Sequence, residues 1–460
     1  MVRIGWAYHE ITPVRPAMLQ GQMHVRIARE AADPLLAAAL AVDGGRPGSC
    51  ALMISCDLAM VSEELQNRVR ECLHVRLPEL SSDAVIMTAT HTHDAQVIED
   101  GFYPHPGGDV MTASEALAWT TDHCVEAAVE AWERRVPRQL GRAFGHAVVG
   151  HNRRAVYQDG RARMYGATDT PDFSHIEGYE DHSLDMLFVW ELDGSLAGVV
   201  LTIPCPAQVD EHLSQFSADF WHEIRLDLRQ RFGSDLFILP LCGAAGDQSP
   251  HFLVYGAQEA EMRRRRGLTE RQEIALRVGD AVQRALDCTS PAQSEVTVEH
   301  TVQQLTLPPR WITRSEREWA AAAHVEALDR GDCPDLWWPV MLRDVIDRYD
   351  GAVPLPEASA ELHVLRLGDA VIVTSPFELY LDYAIRIKAR SPAAQTIVVQ
   401  LAGGSGLFLP TERAVAGGHY GAHPAVAPVG PEAGAVLVEE TLSAVEKVLL
   451  GVAQGGNSVD

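Results

Sequence analysis

Apolar and polar positions follow two different periods along this chain, and together they predict alternating strands and helices. Short apolar runs, many of them β-branched, predict strands at 51–56, 84–88, 186–190, 198–203, 236–241 and 370–374. Apolar residues spaced three and four apart predict helices at 62–75, 113–134, 218–231, 269–286 and 432–450. Ser62 suits a helix N-cap, and Thr269 with Gln272 has capping-box spacing. The pattern predicts an α/β fold with mixed β-sheets flanked by helices.

The stretch 311–356 follows neither period clearly. It carries Trp311, Trp319, Trp337 and Trp338 among many charges and has no strand pattern. We interpret it as a helical insertion that caps a functional site, while a plain peripheral helix pair fits the pattern equally well. The whole chain, 1–460, is predicted to form a single domain that contains this insertion.

A glycine-rich turn follows the predicted strand 236–241. The sequence Gly-Ala-Ala-Gly lets the backbone turn tightly and lets another group come close. The turn then delivers Asp247, Ser249 and His251 at a strand end, where α/β proteins usually keep their chemistry. An ordinary turn with polar caps is the alternative for this segment taken alone.

A second strand end carries two histidines. The predicted strand 84–88 runs into Thr90-His91-Thr92-His93. In an extended chain residues i and i+2 share a face, so His91 and His93 are expected to point the same way. Two imidazoles on one face can bind a metal, or one can bind while the other acts on a substrate.

Seven segments, in their order along the chain, resemble the neutral/alkaline ceramidase family across nearly the whole of its catalytic domain. They are the opening Gly5 to Pro13, Ser55-Cys56-Asp57-Leu58, Thr90 to His93, Asn152-Arg153, Gly246-Asp247-Gln248-Ser249-Pro250, Pro376-Phe377-Glu378 and Gly418-His419-Tyr420. The family has Thr-His-Thr-His, Asn-Arg, Gly-Asp-x-Ser-Pro and Pro-Gly-Glu motifs at the matching places.

This resemblance implies a zinc amidase with one Zn²⁺ per chain. Carried over by position, His91, Glu378 and Tyr420 are metal ligands and His93 orients or polarises the substrate. Arg153 contacts the substrate. Ser249, or a zinc-bound water, attacks the amide carbonyl. Asp247 belongs to the same motif as Ser249, where it orients the backbone or Arg153.

The remaining zinc ligand of the family is a histidine, and here its position holds Cys205. A thiolate is a good zinc ligand, so a ligand set of His91, Cys205, Glu378 and Tyr420 is expected. Two alternatives stay open. Cys205 is a buried small hydrophobe and the metal is lost, or Asp210, Glu211 or His212 supplies the ligand.

Two further departures affect the expected substrate. Asp94 follows the histidine pair, where the family has a small flexible loop, and a carboxylate beside His93 is expected to favour the charged imidazole. The sequence also ends too soon after Tyr420 for the β-sandwich domain that follows the catalytic domain in the family. The expected fold is therefore the catalytic domain alone.

Composition narrows the partners. A formal net charge of −25 argues against binding to nucleic acid or to anionic membranes. No signal peptide and no apolar run long enough for a membrane span is present, and the eight cysteines have no framework spacing. These features predict a cytoplasmic enzyme with reduced thiols, and a homo-oligomer stays open.

The sequence predicts a metal-dependent hydrolase that cleaves the carbon–nitrogen bond of a small or N-acylated amide. Fold and motifs do not determine the substrate, and ceramide itself fits poorly. One alternative is a hydrolase of the same scaffold that acts on a glycoside or sugar derivative. The other is a non-catalytic relative that binds a ligand, which Cys205 in place of histidine favours.

Overall fold

Runs of strands are separated by helices in the computed structural model, which describes residues 1–46, 48–355 and 358–451. In chain order the strands are β1 Arg3–Glu10, β2 Ala17–Leu19, β3 Arg26–Ala28, β4 Leu36–Asp43, β5 Cys50–Cys56, β6 Val85–Ala89, β7 Val136–Pro137, β8 Gln139–His146, β9 His151–Asn152, β10 Arg154–Tyr157, β11 Ala162–Met164, β12 Phe173–Ile176, β13 Ser183–Trp190, β14 Leu196–Ile203, β15 Phe237–Cys242, β16 Gln248–Ser249, β17 Val298–Leu307, β18 Ala358–Leu367, β19 Ala370–Thr374, β20 Glu378–Leu379, β21 Gln395–Val399 and β22 Phe408–Leu409. The helices are α1 Glu63–Arg76, α2 Ala113–Glu133, α3 Phe220–Phe232, α4 Gly256–Arg266, α5 Glu270–Leu286, α6 Arg314–Asp329, α7 Trp337–Tyr349, α8 Leu381–Arg390, α9 Glu412–Gly417 and α10 Pro431–Leu450.

Mixed sheets of four and five strands form the framework. Their strand orders are β6-β5-β4-β1-β7, β15-β14-β13-β8 and β17-β18-β19-β21. Each has one parallel pair at an edge, namely β5 with β6, β14 with β15, and β19 with β21. Parallel neighbours need a crossover connection, and α1, α3 and α8 lie in these three crossovers. The same strand–helix–strand unit therefore occurs once in each sheet.

Apolar side chains from all three sheets meet in a shared core. Ile4 and Leu40 come from the first sheet, Leu187 and Leu239 from the second, and Ile372 from the third. All are at most 3% exposed. Burial of this kind stabilises by about 25 cal/mol per Å² of apolar surface, so this core holds the three sheets in fixed relation to one another.

The predicted α/β fold class is confirmed. Helices α1, α2, α5 and α10 begin and end within two residues of their predicted bounds. Ser62 Oγ accepts from the Leu65 amide, and Thr269 and Gln272 form the reciprocal capping box. Local capping chemistry thus determined these helix starts.

A buried ion pair joins the first and second crossover units. Asp57, directly after β5, accepts hydrogen bonds from both terminal nitrogens of Arg225 in α3, at 2.8 and 3.0 Å. Asp57 Oδ2 also accepts from the Leu36 amide at 2.9 Å. Neither side chain is more than 3% exposed, so each charge depends on the other for its solvation.

The stretch 311–356 contains α6 and α7, although Pro356 lies outside the described residues, as does the polar tail after 451. A full capping box at Thr313 and Glu316 starts α6. Ala320, Leu342 and Val345 of this pair pack together with Ala425. The helix pair is thereby attached to the loop that follows α9. Within the described residues, no helix has the length and apolar character needed to cross a membrane.

Candidate active site

A cavity of about 320 Å³ is lined in part by residues from the segments that follow β6, β14 and β19. Five predicted site residues line it: His91, His93, Arg153, Glu378 and Tyr420. Among the described residues, the other three predicted ones lie outside its lining: Ser249, Asp247 and Cys205.

His91 reaches the cavity through a turn. Our expectation of an extended chain through His91 and His93 was wrong, because β6 ends at Ala89 and His91 has a left-handed φ of 63°. The turn nevertheless brings the two rings together edge to face, with centroids 4.9 Å apart.

The imidazole of His91 is fixed by a backbone carbonyl. Its Nδ1 lies 2.5 Å from the carbonyl oxygen of Ala59, which can only accept, so Nδ1 carries the proton. Nε2 then faces the Glu378 carboxylate, at 3.3 Å from Oε2. Burial raises the pKa of Glu378, but its interactions with the neighbouring His91 and with the charge of Arg153 outweigh burial and hold that pKa below its usual value. Glu378 is therefore ionised at neutral pH.

His93 belongs to a chain of three side chains. Glu211 accepts from His93 Nδ1 at 2.8 Å through one oxygen and from His251 Nε2 at 3.1 Å through the other. Burial lowers the pKa of His93, and the opposing effect of Glu211 does not restore it. His93 is therefore neutral at pH 7. Its Nδ1–H donates a hydrogen bond to Glu211, and its Nε2 is free to accept one.

The predicted pairing of Asp94 with His93 was wrong. Asp94 is fully buried, and its Oδ1 lies 2.8 Å from Nη1 of Arg26. Arg26 also donates to the backbone carbonyls of His93 and Gln20. Burial raises the pKa of Asp94 to about 8, although Arg26 opposes this effect. Asp94 therefore holds the backbone of the loop through its hydrogen bond with Arg26.

Arg153 is anchored on three sides. It donates to the Gly246 carbonyl at 2.9 Å and to the Tyr165 hydroxyl at 3.0 Å, and it lies 3.7 Å from Glu378 Oε2. Tyr165 lines the cavity as well. The guanidinium lies on one side of the cavity, with the phenol of Tyr165 beside it.

Ser249 lies behind Tyr165. Its Oγ receives the Tyr165 hydroxyl at 3.3 Å, the Gln208 amide at 3.2 Å and the His251 backbone N–H at 3.1 Å. Its side chain is fully buried. The hydroxyl is thus linked to the cavity through Tyr165.

The contacts of Asp247 indicate that it positions neighbouring segments of the chain. Its carboxylate accepts from Asn152 Nδ2 and from the Leu381 amide, both at 3.0 Å. Its carbonyl oxygen accepts from the Arg153 amide at 2.9 Å. Burial raises its pKa to about 6. Asp247 thereby ties β9 and the following residue, Arg153, to the start of α8.

Cys205 lies just after β14 and is fully buried. Its thiol lies 3.5 Å from the Pro206 carbonyl, and its own carbonyl accepts from the Cys242 thiol at 3.6 Å. Burial raises the pKa of the Cys205 thiol well above its usual value. In this structure the residue is a protonated thiol packed beside a second one.

Tyr420 forms part of an aromatic wall. Its ring contacts Phe408 and Trp338 at centroid distances of 5.5 and 6.2 Å. Burial and the charge of Glu378 raise its pKa above the usual value. Trp337 and Met341 of α7 line the same cavity, so α7 forms part of its wall.

Left-handed backbone is concentrated around this cavity. Four of its lining residues are non-glycine residues with positive φ: His91 at 63°, Tyr165 at 55°, Leu407 at 55° and His419 at 72°. Such conformations cost about 1–3 kcal/mol each and are typical of functional sites.

The whole chain superimposes on solved ceramidases. Neutral ceramidase from Pseudomonas aeruginosa matches with a TM-score of 0.72 and 14% sequence identity, over 100% of this chain and 76% of that one. The chain has the ceramidase-like fold. A ceramidase complexed with C2 matches with a TM-score of 0.68 and 14% identity, over 100% of this chain and 77% of the other. No protein-family model and no curated protein sequence matches.

On this ceramidase-like fold, several cavity residues were not predicted from sequence. Tyr165 lies in a short hairpin without any motif, and Trp337 was noted only as part of an aromatic stretch. Glu211 was considered only as a replacement ligand. Its spacing from His93 and His251 in sequence carries no signal, because the contact is made by the fold.

The side chains around the cavity supply some of the ligand atoms that a cation needs. With Nδ1 directed to the Ala59 carbonyl, Nε2 is the ring nitrogen that faces the Glu378 carboxylate, and a cation between Nε2 and Oε2 would be bound by both. Tyr420 lines the same space. Among the described residues no group of three or more His, Cys, Asp or Glu side chains is placed to hold a metal. A tyrosine is thus the third donor at hand.

Proposed function

We propose that this protein is a zinc-dependent hydrolase that cleaves the amide bond of a small N-acylated substrate. The observation that carries the proposal is one cavity on a ceramidase-like fold that holds His91, His93, Arg153 and Glu378 together. Cytoplasmic location and homo-oligomerisation stay predictions of the sequence.

The metal would be held by His91, Glu378 and Tyr420, and when bound it would polarise the scissile carbonyl. Cys205 as a further ligand stays a prediction, since its thiol packs outside the cavity lining. His91 presents Nε2 because Ala59 fixes its tautomer. A fixed tautomer of this kind raises the precision with which a ligand is held.

His93 acts as the general base in this proposal. Glu211 accepts a hydrogen bond from Nδ1–H of His93, so Nε2 is left to take a proton from the attacking group. Once protonated, the imidazolium is stabilised by the negative charge of Glu211. The same proton then goes to the departing amine.

Arg153 supports the developing oxyanion, and Tyr165 positions Arg153. The guanidinium donates to the Gly246 carbonyl and to the Tyr165 hydroxyl, so it is held in place before substrate arrives. Preorganised donors stabilise charge that develops in the transition state without reorganisation at that moment.

Water is the nucleophile we favour, because Ser249 is fully buried and Tyr165 lies between it and the cavity. The test measures the activity of Ser249→Ala. In parallel, mass spectrometry looks for a covalent acyl adduct in wild type and variant that are quenched during turnover. Retained activity without an acyl adduct supports water. A covalent acyl adduct lost in the variant assigns the attack to Ser249.

Metal analysis tests the centre of the proposal. Protein purified without chelator is analysed for bound metals as wild type, His91→Ala, Glu378→Gln and Cys205→Ala. We expect about one zinc per chain, lost in the first two variants. Loss in Cys205→Ala adds the thiol to the ligand set, and no zinc in the wild type after zinc addition contradicts metal dependence.

A substrate panel tests the reaction. N-acyl amides, acyl esters and glycosides are incubated with the wild type and with His93→Ala. Amide cleavage that the variant lacks supports the proposal, whereas cleavage of glycosides alone selects the alternative of a sugar hydrolase.

A further inference from the structure

Two adjacent arginines extend to different parts of the molecule. Arg153 lines the cavity, whereas the side chain of Arg154, the first residue of β10, is fully buried outside its lining. A buried guanidinium needs acceptors for its hydrogen-bond donors, so its partners show what it holds in place. The partners of Arg154 lead to Tyr420.

The Arg154 guanidinium donates to three backbone carbonyls of one segment, 414–420. Nη2 donates to the carbonyls of Ala414 at 3.2 Å and Gly418 at 2.8 Å. Nη1 donates to the carbonyl of Tyr420 at 3.2 Å. A planar fork of donors can hold several acceptors in fixed relative positions. Arg154 therefore joins helix α9 to the backbone of a residue that lines the cavity.

Glu177 compensates the charge of Arg154. Its Oε2 accepts from Arg154 Nε at 2.7 Å, and its backbone N–H donates to the Arg154 carbonyl at 2.9 Å. The Glu177 side chain is 3% exposed. Because buried ions lose their hydration, this pair depends on its hydrogen bonds, including those to the three carbonyls.

The neighbouring strand β11 makes a second contact with the same segment. Met164 lies opposite Arg154 in the antiparallel pair of β10 and β11. Its backbone N–H donates to Nδ1 of His419 at 3.1 Å. His419 has a left-handed φ of 72°, a conformation that persists only where surrounding contacts maintain it. The segment 414–420 is thus attached to both strands.

The same two strands position the opposite part of the site. Arg153 directly precedes β10, and Tyr165 directly follows β11. The guanidinium of Arg153 donates to the Tyr165 hydroxyl and lies 3.7 Å from Glu378. The small sheet β11-β10-β12 therefore connects the segment that carries Tyr420 with the residues that face Glu378.

We propose that Arg154 is a positioning residue that holds Tyr420 in the cavity wall. The role requires arginine, because a lysine ammonium can pair with Glu177 but has no planar fork to reach all three carbonyls. The consequence for zinc binding rests on the proposed function, whereas the positioning of Tyr420 does not.

Arg154→Lys separates positioning from charge. Fluorine NMR of protein that carries fluorotyrosine only at position 420 reports the surroundings of that ring. We expect the resonance in Arg154→Lys to move or broaden by more than its wild-type linewidth. Urea unfolding of each sample verifies that the protein is folded.

Arg70→Lys is the matched control. Arg70 also pairs with a carboxylate and donates to a backbone carbonyl, Glu361 at 2.8 Å and Val85 at 2.7 Å, and it lies outside the cavity lining. This variant should leave the resonance unchanged.

Glu177→Gln is a second variant, which keeps the guanidinium. A glutamine oxygen can still accept from Arg154 Nε, so the three carbonyl contacts are retained although the pair loses one charge. We expect the resonance to stay at its wild-type position.

Zinc affinity, measured by competition with a chromogenic chelator, gives an independent readout. If Tyr420 is a ligand, Arg154→Lys should bind zinc about 10-fold more weakly than the wild type, since loss of a ligand's support typically costs roughly 10–100-fold in affinity.

An unchanged resonance in Arg154→Lys, or an equal change in either of the other two variants, overturns the positioning role. A changed resonance with unchanged zinc affinity upholds that role and contradicts Tyr420 as a ligand. A changed resonance in a protein that binds no zinc upholds it as well and contradicts the proposed metal dependence alone.

Discussion

Glu211 is the residue on which the orientation of His93 depends. It is shared between His93 and His251, and it reaches them from the segment after β14. Neither histidine has another carboxylate within hydrogen-bond distance among the described residues. Its removal is therefore expected to act through the orientation of His93.

Glu211→Gln should lower kcat for the amide cleaved in the panel by about 10–100-fold, with KM little changed, because His93 loses its fixed tautomer. Glu180→Gln is the control, since Glu180 pairs with His151 at 3.3 Å outside the cavity lining. A large rise in KM with kcat unchanged would show that Glu211 binds substrate instead.

His251 should make folding stability depend on pH. Burial lowers its pKa, but Glu211, with Glu270 and Asp219 nearby, outweighs this effect and raises it above the ordinary value of 6.5. A raised folded-state pKa contributes stability below pH 6.5 that is lost as pH rises through the folded value.

His251→Gln should therefore cost more stability under acidic than under alkaline conditions. Urea unfolding at about pH 5.5 and pH 9 measures this, the two values lying on either side of the titration of histidine. If the variant lowers the free energy of unfolding equally at both pH values, or more at the higher one, the result argues against the ion pair of His251 and Glu211.

Gly21 lies against the imidazole of His93. It has a φ of 109°, and a Cβ built on it would lie 2.5 Å from Cγ of His93. Gly21→Ala should displace that ring and abolish most activity. Gly160→Ala has a comparable φ of 81° but open space around its Cβ. Gly160→Ala therefore introduces backbone strain without a contact to His93. Comparable losses of activity in the two variants would contradict a role for the contact between position 21 and His93.

At the scale of elements, the buried pair of Asp57 and Arg225 connects β5 with α3. Asp57→Asn should lower the free energy of unfolding by about 3–5 kcal/mol, because it leaves Arg225 buried without its counter-charge. The double variant with Arg225→Met should recover part of this loss. Equilibrium denaturation measures both.

A surface pair provides the comparison for this measurement. Arg68 and Glu64 form an exposed pair within α1 at 2.6 Å. Glu64→Gln should cost at most about 1 kcal/mol. Equal losses for Glu64→Gln and Asp57→Asn would mean that the buried pair has no special role.

Sequence reasoning predicted elements best where local chemistry decides. Helix α5 has a strong period and a capping box, and the six predicted strands lie in short apolar runs that sheets bury. Strand β4 was missed because Leu36–Asp43 is rich in alanine, which favours helix in isolation. Tertiary pairing with β1 and β5 overrides that preference.

The site shows the same division. His91, His93 and Glu378 follow strand ends, so short motifs identified residues that the fold brings together. Tyr165, Glu211 and Gln20 reach the cavity through long-range contacts that no local pattern encodes. Cys205 stays a prediction, and its packing beside Cys242 depends on the pairing of β14 with β15.

For the molecule as a whole, the three sheets contribute to one site. The segment after β6 supplies two histidines, the segment after β14 supplies Glu211, and the segment after β19 supplies Glu378. Since the sheets share a core, a ligand in the cavity should stabilise all of them together.

A bound amide probe at 100 times its dissociation constant should thus raise the free energy of unfolding by about 2.7 kcal/mol. Hydrogen exchange should show added protection in strands of all three sheets. Protection restricted to the sheet of β19 would indicate that the sheets unfold independently.

The cavity wall is drawn from positions as distant along the chain as Gln20 and Val426. No fragment shorter than residues 20–426 can contain the complete wall, so such fragments should bind no ligand when produced alone. Two fragments divided at the exposed turn between α6 and α7 would each carry part of it. Co-expressed, they should regain ligand binding only by reassembling, which makes binding a reporter of fragment complementation.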